Sequence, residues 1–173
     1  MGARLLPRNL PELFSYSLVL EREAAKCYAE LEGFLRGRGA RQLADEFEKL
    51  GREEREQYEI IALGTAGRVL PELAGWELGW YFGVDGVEGR RIPRSAGDAL
   101  ALALAFERRT QSFYNDVATN ARADAVRAFA AEMSADEQRH ISRLEALLAR
   151  EDALSGIEDE DEVGESGDGL PLT

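Results

Sequence analysis

The chain has 173 residues and a net charge of -12, with 33 Asp and Glu against 21 Lys and Arg. That length suits one domain with a real core, and the acidic balance excludes the basic footprint of a nucleic-acid binder. A single cysteine, Cys27, excludes an intramolecular disulfide and a cysteine-based zinc site.

Abundant Ala, Leu, Glu and Arg, with few β-branched runs, predict an all-α protein. The opening residues MGARLLPRNLPELF hold no continuous apolar stretch, so no signal peptide is expected. Nor does any run reach the roughly 18 apolar residues of a membrane span. With Cys27 read as a small packing residue, a reducing cytoplasmic setting is the simplest home.

A first helix is predicted from about Glu12 to Leu35. Its seam is Phe14, Ser17, Glu21, Ala24, Tyr28, Leu31 and Leu35, in alternating steps of three and four. Gly33, Gly37 and Gly39 mark its exit. A second, from about Arg41 to Leu63, carries Leu43, Phe47, Leu50, Glu54, Gln57 and Ile61. Residues 71–96 break the pattern with Trp76, Trp80, Tyr81, Phe82 and glycines at 75, 79, 83, 86 and 89. That is too long for a tight turn and suits a connection crossing the length of a bundle. Its aromatic residues would cover one flank or form a self-association surface, so a homodimer or larger homo-oligomer is expected.

The third helix, from about Ala96 to Thr119, has the seam Leu100, Ala103, Glu107, Thr110, Tyr114 and Val117. The fourth, from about Ala123 to Arg150, has Val126, Ala130, Met133, Glu137, His140, Leu144 and Leu147. Two short turns and one long crossover between helices 2 and 3 describe a ferritin-like four-helix bundle over residues 1–152. After Arg150 come nine acidic residues and no Lys or Arg. Residues 153–173 are therefore expected to be a disordered acidic tail. Its tip, GLPLT, could dock in a partner's groove, which would place the protein inside a protein compartment.

The two halves repeat one device. Glu21, Ala24 and Tyr28 match Glu107, Thr110 and Tyr114; Leu50, Glu54 and Gln57 match Met133, Glu137 and His140. Four glutamates thus fall in the middle of four apolar seams. A carboxylate buried without a partner costs several kcal/mol, and four converging ones repel one another. A pair of divalent cations resolves the conflict. One Glu from each of two helices plus Glu-x-x-His from the other two is the di-iron carboxylate pattern. The competing reading pairs these glutamates with Arg22, Arg55, Arg108 or Arg139, which sit beside the seams and point away from them.

The motifs Glu21-x-x-Ala24-x-x-x-Tyr28, Glu54-x-x-Gln57, Glu107-x-x-Thr110-x-x-x-Tyr114 and Glu137-x-x-His140 resemble the rubrerythrin-type branch of the ferritin-like superfamily, over roughly residues 10–150. The resemblance implies two bound iron ions, or other divalent metals. Glu21, Glu54, Glu107, Glu137 and His140 would be the ligands that carry the chemistry, and Tyr28 and Tyr114 would hydrogen-bond to ligand carboxylates across the bundle. Gln57 stands where the second histidine belongs and would offer a neutral amide oxygen as a weaker metal ligand, so one metal position should be weaker. Leu104 replaces a further glutamate of the peroxide-reducing members, and no Cys-x-x-Cys module follows the bundle.

The implied activity is oxidation of Fe(II) with O2 or peroxide, of the ferroxidase or peroxide-scavenging type. The alternatives are a metal-binding protein without efficient redox turnover, favoured by Gln57, and a di-iron oxygenase using space beside Ala24, Ala103 and Ala130.

Overall fold

In the computed structural model, residues 6–73 and 92–162 are described, the side chains through Leu154. Four helices make up these residues: α1 (Leu10–Gly37), α2 (Arg41–Gly64), α3 (Ala96–Asn120) and α4 (Asp124–Glu162). The protein is an all-α four-helix bundle, as the periodicity predicts.

Local chemistry sets the helix ends. Asn9 caps α1, its side chain accepting from the Glu12 N–H at 2.9 Å, with Pro11 in the first turn. Ser95 caps α3 in the same way through Asp98 N–H at 3.0 Å. α1 closes in a turn where Gly39 takes φ +79°, a conformation that costs glycine least. Ala40 N–H then returns to Leu35 O at 3.0 Å, and α2 begins at Arg41. α4 runs on to Glu162, past the end expected at Arg150 and into the acidic stretch. Residues 163–173, including GLPLT, lie outside the described residues, as do Trp76, Trp80, Tyr81 and Phe82.

The core is two apolar clusters stacked along the bundle. One holds Leu13, Tyr16 and Leu20 of α1, Ile61 of α2, Phe113, Tyr114 and Val117 of α3, and Val126, Ala130 and Met133 of α4. The other holds Tyr28, Leu31 and Leu35, then Ala44, Phe47 and Leu50, then Ala99, Leu100 and Ala103, and finally Ile141 and Leu144. Chain direction follows from this order. α1 and α4 run from the first cluster to the second, whereas α2 and α3 run back. α1 pairs with α2, and α3 with α4, as antiparallel hairpins, and α1 meets α3 across the bundle. Because α2 ends at the first cluster and α3 starts at the second, the segment between them joins opposite ends, which is the long crossover.

Gly51 explains how closely the first hairpin packs. A Cβ on it would sit 3.0 Å from the Cβ of Tyr28, too close for a side chain rooted in the facing helix to give way. Glycine there brings α2 onto α1 at the level of Tyr28, next to the polar layer between the two clusters.

Candidate metal centre

In every helix a glutamate falls between the two apolar clusters. Glu21 follows Leu20 and precedes Tyr28; Glu54 lies between Leu50 and Ile61; Glu107 between Leu104 and Phe113; Glu137 between Met133 and Ile141. All four are at most 2% exposed. The 3/4 spacing of each seam forces this, since a residue in line with buried neighbours above and below it on a helix shares their face.

The structure brings Glu54, Glu107, Glu137 and His140 together. One ligand atom from each lies within 4.8 Å of the others. His140 Nδ1 is 2.6 Å from Glu54 Oε1 and 3.9 Å from both Glu107 Oε1 and Glu137 Oε2. Glu21 lies one carboxyl further on, in contact with Glu54, and accepts a hydrogen bond from Tyr114 Oη at 3.0 Å. Tyr28 Oη donates a short hydrogen bond to Glu107 Oε1. The two tyrosines cross reciprocally, α1 to α3 and α3 to α1, so each hairpin steadies a carboxylate of the other.

Gln57, the residue aligned with His140, donates from its amide Nε2 to Met133 Sδ at 3.3 Å. Met133 is itself 1% exposed and belongs to the first cluster. The Cys27 side chain is partly buried and packs against the second cluster.

The arginine alternative finds no support. Arg22 pairs with Glu23, Arg108 with Glu145 and Arg139 with Asp136. Among the described residues, no Lys or Arg ion pair reaches the four buried glutamates. Burial accordingly pushes the Glu21 carboxyl up to about 7, while its contact with Glu54 and the Tyr114 hydrogen bond hold it down. Burial first, then the neighbouring Glu107, drives Glu54 and Glu137 well above the usual carboxylate range. The Tyr28 and Tyr114 phenols rise for the same two reasons: burial, then adjacent carboxylates.

Polar satisfaction shows what the cluster fits. Glu54 Oε1, Glu107 Oε2, Glu137 Oε2 and His140 Nδ1 are buried without a hydrogen-bond partner. The 2.6 Å approach of His140 to Glu54 lacks hydrogen-bond geometry. Buried polar atoms are nearly always paired, and each orphan costs about 1–3 kcal/mol. Three carboxylate oxygens and an imidazole nitrogen aimed at one point are a donor set for a divalent cation, with hard oxygens and a borderline nitrogen. The cluster can hold a metal ion.

Two residues next to the centre are absent from the seams. His140 Nε2 lies 3.2 Å from Glu53 Oε2, and Glu53 Oε1 accepts from Arg143 Nη1 at 2.9 Å. Both sit where α2 meets α4, one step off the buried stripe. The readable signal is spacing: Arg143 follows His140 by three positions on α4, while Glu53 precedes Glu54 on α2.

Among the described residues, no helix is long and apolar enough to cross a membrane. No protein-family model matches the chain, and no curated protein matches it. The fold is similar to that of an uncharacterized conserved protein from Magnetospirillum magnetotacticum, with a TM-score of 0.68 and 24% identity over 82% of this chain and 95% of that one. At that identity the likeness is one of fold: the chain shares its helical architecture with a protein of undefined activity.

Proposed function

We propose that the chain is a ferritin-like, rubrerythrin-type di-iron protein that oxidises Fe(II) with O2 or peroxide. One observation carries this reading. Four buried carboxylates and a partly buried imidazole meet in a single layer, with converging orphan atoms and, among the described residues, no Lys or Arg ion pair to balance them.

Iron bound in that layer would supply the electrons that reduce O2 or peroxide. The chain's own residues do the rest. Glu54, Glu107, Glu137 and His140 would hold one metal ion, and Glu21, in contact with Glu54, would add a ligand for a second, weaker one. Tyr28 occupies Glu107 Oε1 and leaves Oε2 without a hydrogen-bond partner, while Tyr114 holds Glu21 Oε1. The apolar clusters above and below keep water away, which strengthens every charge interaction between them.

A second reading has its own support. With Gln57 turned to Met133 and no imidazole on that side, the protein binds metal without efficient redox turnover.

Anaerobic Fe(II) titration of metal-free protein, followed by O2, separates the two. Two irons per chain, the second held more weakly, and a ferric charge-transfer band in the near ultraviolet are the expected result. One iron and no band after O2 would hand the assignment to the redox-silent reading, and no bound iron would remove both. Leu104 directs the expected product towards simple Fe(II) oxidation over peroxidase turnover.

A further inference from the structure

We propose that Glu53, held in place by Arg143, is the positioning residue that fixes the His140 ring for metal binding. The inference rests on the metal-centre reading above. An ionised carboxylate accepts and does not donate, so a ring nitrogen hydrogen-bonded to one must be the donor, and Glu53 is such a partner while the Glu54 contact lacks hydrogen-bond geometry. Glu53 Oε2 stands 3.2 Å from His140 Nε2, which assigns the ring proton to Nε2. Nδ1 then keeps its lone pair, and Nδ1 is the atom that points at Glu54, Glu107 and Glu137. The outer contact therefore selects the tautomer that the inner cluster requires.

Glu53 is itself restrained. Arg143 donates to it from Nη1 at 2.9 Å, and to Glu46 from Nη2 at 2.8 Å. Glu46 is tied in turn to Lys49 at 2.7 Å. Glu46, Lys49 and Glu53 follow a 3/4 spacing along α2, and His140 and Arg143 are three apart on α4, so the five groups form one strip along the α2–α4 seam.

Surface ion pairs are common and individually worth little, so proximity alone would carry no role. The internal repeat supplies the control. In the other hairpin, the positions matching Glu46, Glu53 and Arg143 are Phe129, Asp136 and Ile60. Phe129 packs edge-on against Phe14 at 5.1 Å, Asp136 is bonded to Arg139 of its own helix, and Ile60 is exposed to solvent. The strip is present beside the imidazole and absent beside Gln57. The two hairpins therefore differ by a ligand together with the apparatus that aims it.

The protein has one histidine, so 15N-histidine labelling reports a single imidazole. NMR of metal-free and Zn(II)-loaded protein is compared for wild type, Glu53→Ala and Arg143→Met, alongside Zn(II) titration. In wild type, the expected proton is on Nε2 and slow to exchange with water, and Zn(II) shifts the Nδ1 resonance. In Glu53→Ala that proton should exchange too fast to observe, and Zn(II) affinity should fall about 10–100-fold. Arg143→Met should give a smaller loss of the same sign. A proton on Nδ1 in the metal-free wild type, or an Nε2 proton and a Zn(II) affinity unchanged by Glu53→Ala, overturns the proposal. If wild type binds no Zn(II), the metal-centre reading fails, and the exchange of the Nε2 proton in metal-free protein still decides whether Glu53 holds the ring. Glu53 and Arg143 are both partly exposed, so neither variant empties the core.

Discussion

Metal-free protein is expected to lose stability as pH rises from 5 to 8, and a divalent cation should restore it. The sign follows from the buried carboxyls. Glu21 has a folded-state value of about 7 against an ordinary 4.5, chiefly because burial disfavours its charge. Between those values the folded chain binds more protons than the unfolded one, so stability falls across that window and stays low above it. The gap corresponds to about 3 kcal/mol from Glu21 alone. Glu54 and Glu137 are displaced in the same direction. Glu12 and Glu46 are held low by Arg8 and by Lys49 with Arg143, so they act below pH 4.5 and do not offset the loss.

A cation that binds only the folded state at 1,000 times its dissociation constant adds about 4 kcal/mol. For a chain of this size that raises Tm by about 10 °C. Thermal melts at pH 5, 6.5 and 8, with and without Co(II), test both halves. Metal-free protein that grows more stable from pH 5 to 8 would contradict the electrostatics of the layer.

Glu54→Gln should separate stability from binding. The amide keeps the shape of a side chain that is 1% exposed and removes the charge that burial opposes. At pH 8 the metal-free variant is expected to melt higher than wild type. The two should converge as pH falls, because the raised Glu54 carboxyl of the wild type then becomes neutral as well. Metal affinity should fall by more than about 100-fold, beyond the usual cost of losing an outer partner of a ligand. Stability that rises while binding collapses is the signature of a residue kept for its ligand. A Glu54 that served as a structural hydrogen-bond acceptor would show the reverse, a variant destabilised at every pH with metal binding intact.

Much of this was legible in the sequence. Periodicity located four helices because a buried stripe repeats every three to four residues, whatever the neighbouring chain does. The duplicated frame exposed the four glutamates because carboxylates are conspicuous among Leu, Ala and Phe. The flanking core residues Leu20, Phe113 and Ile141 were less visible, since a single line of seam residues is narrower than the face that packs. The end of α4 was missed for another reason. Acidic composition argues that a segment lacks a core, but a helix that is already nucleated needs only its own backbone bonds to continue, here to Glu162, about three turns past Arg150. Glu53 and Arg143 were hidden because charged residues beside a seam look like any solvated edge until the facing helix is placed. Gln57 was conspicuous as a missing histidine, yet its contact with Met133 depends on how α2 and α4 meet.

The stacking of two greasy blocks around a charged waist should make the bundle soft at its midpoint. Each block ties together all four helices, so local opening of the waist would give an ion a way in without the chain coming apart. In hydrogen exchange, amides around Glu21, Glu54, Glu107 and Glu137 of metal-free protein should be less protected than those beside Leu35 or Val117, and a bound cation should erase the difference. Uniform protection along each helix would mean that the waist is as rigid as the blocks. The carboxylate layer would then act as a valve: the charge repulsion that loosens it would disappear once a cation is bound.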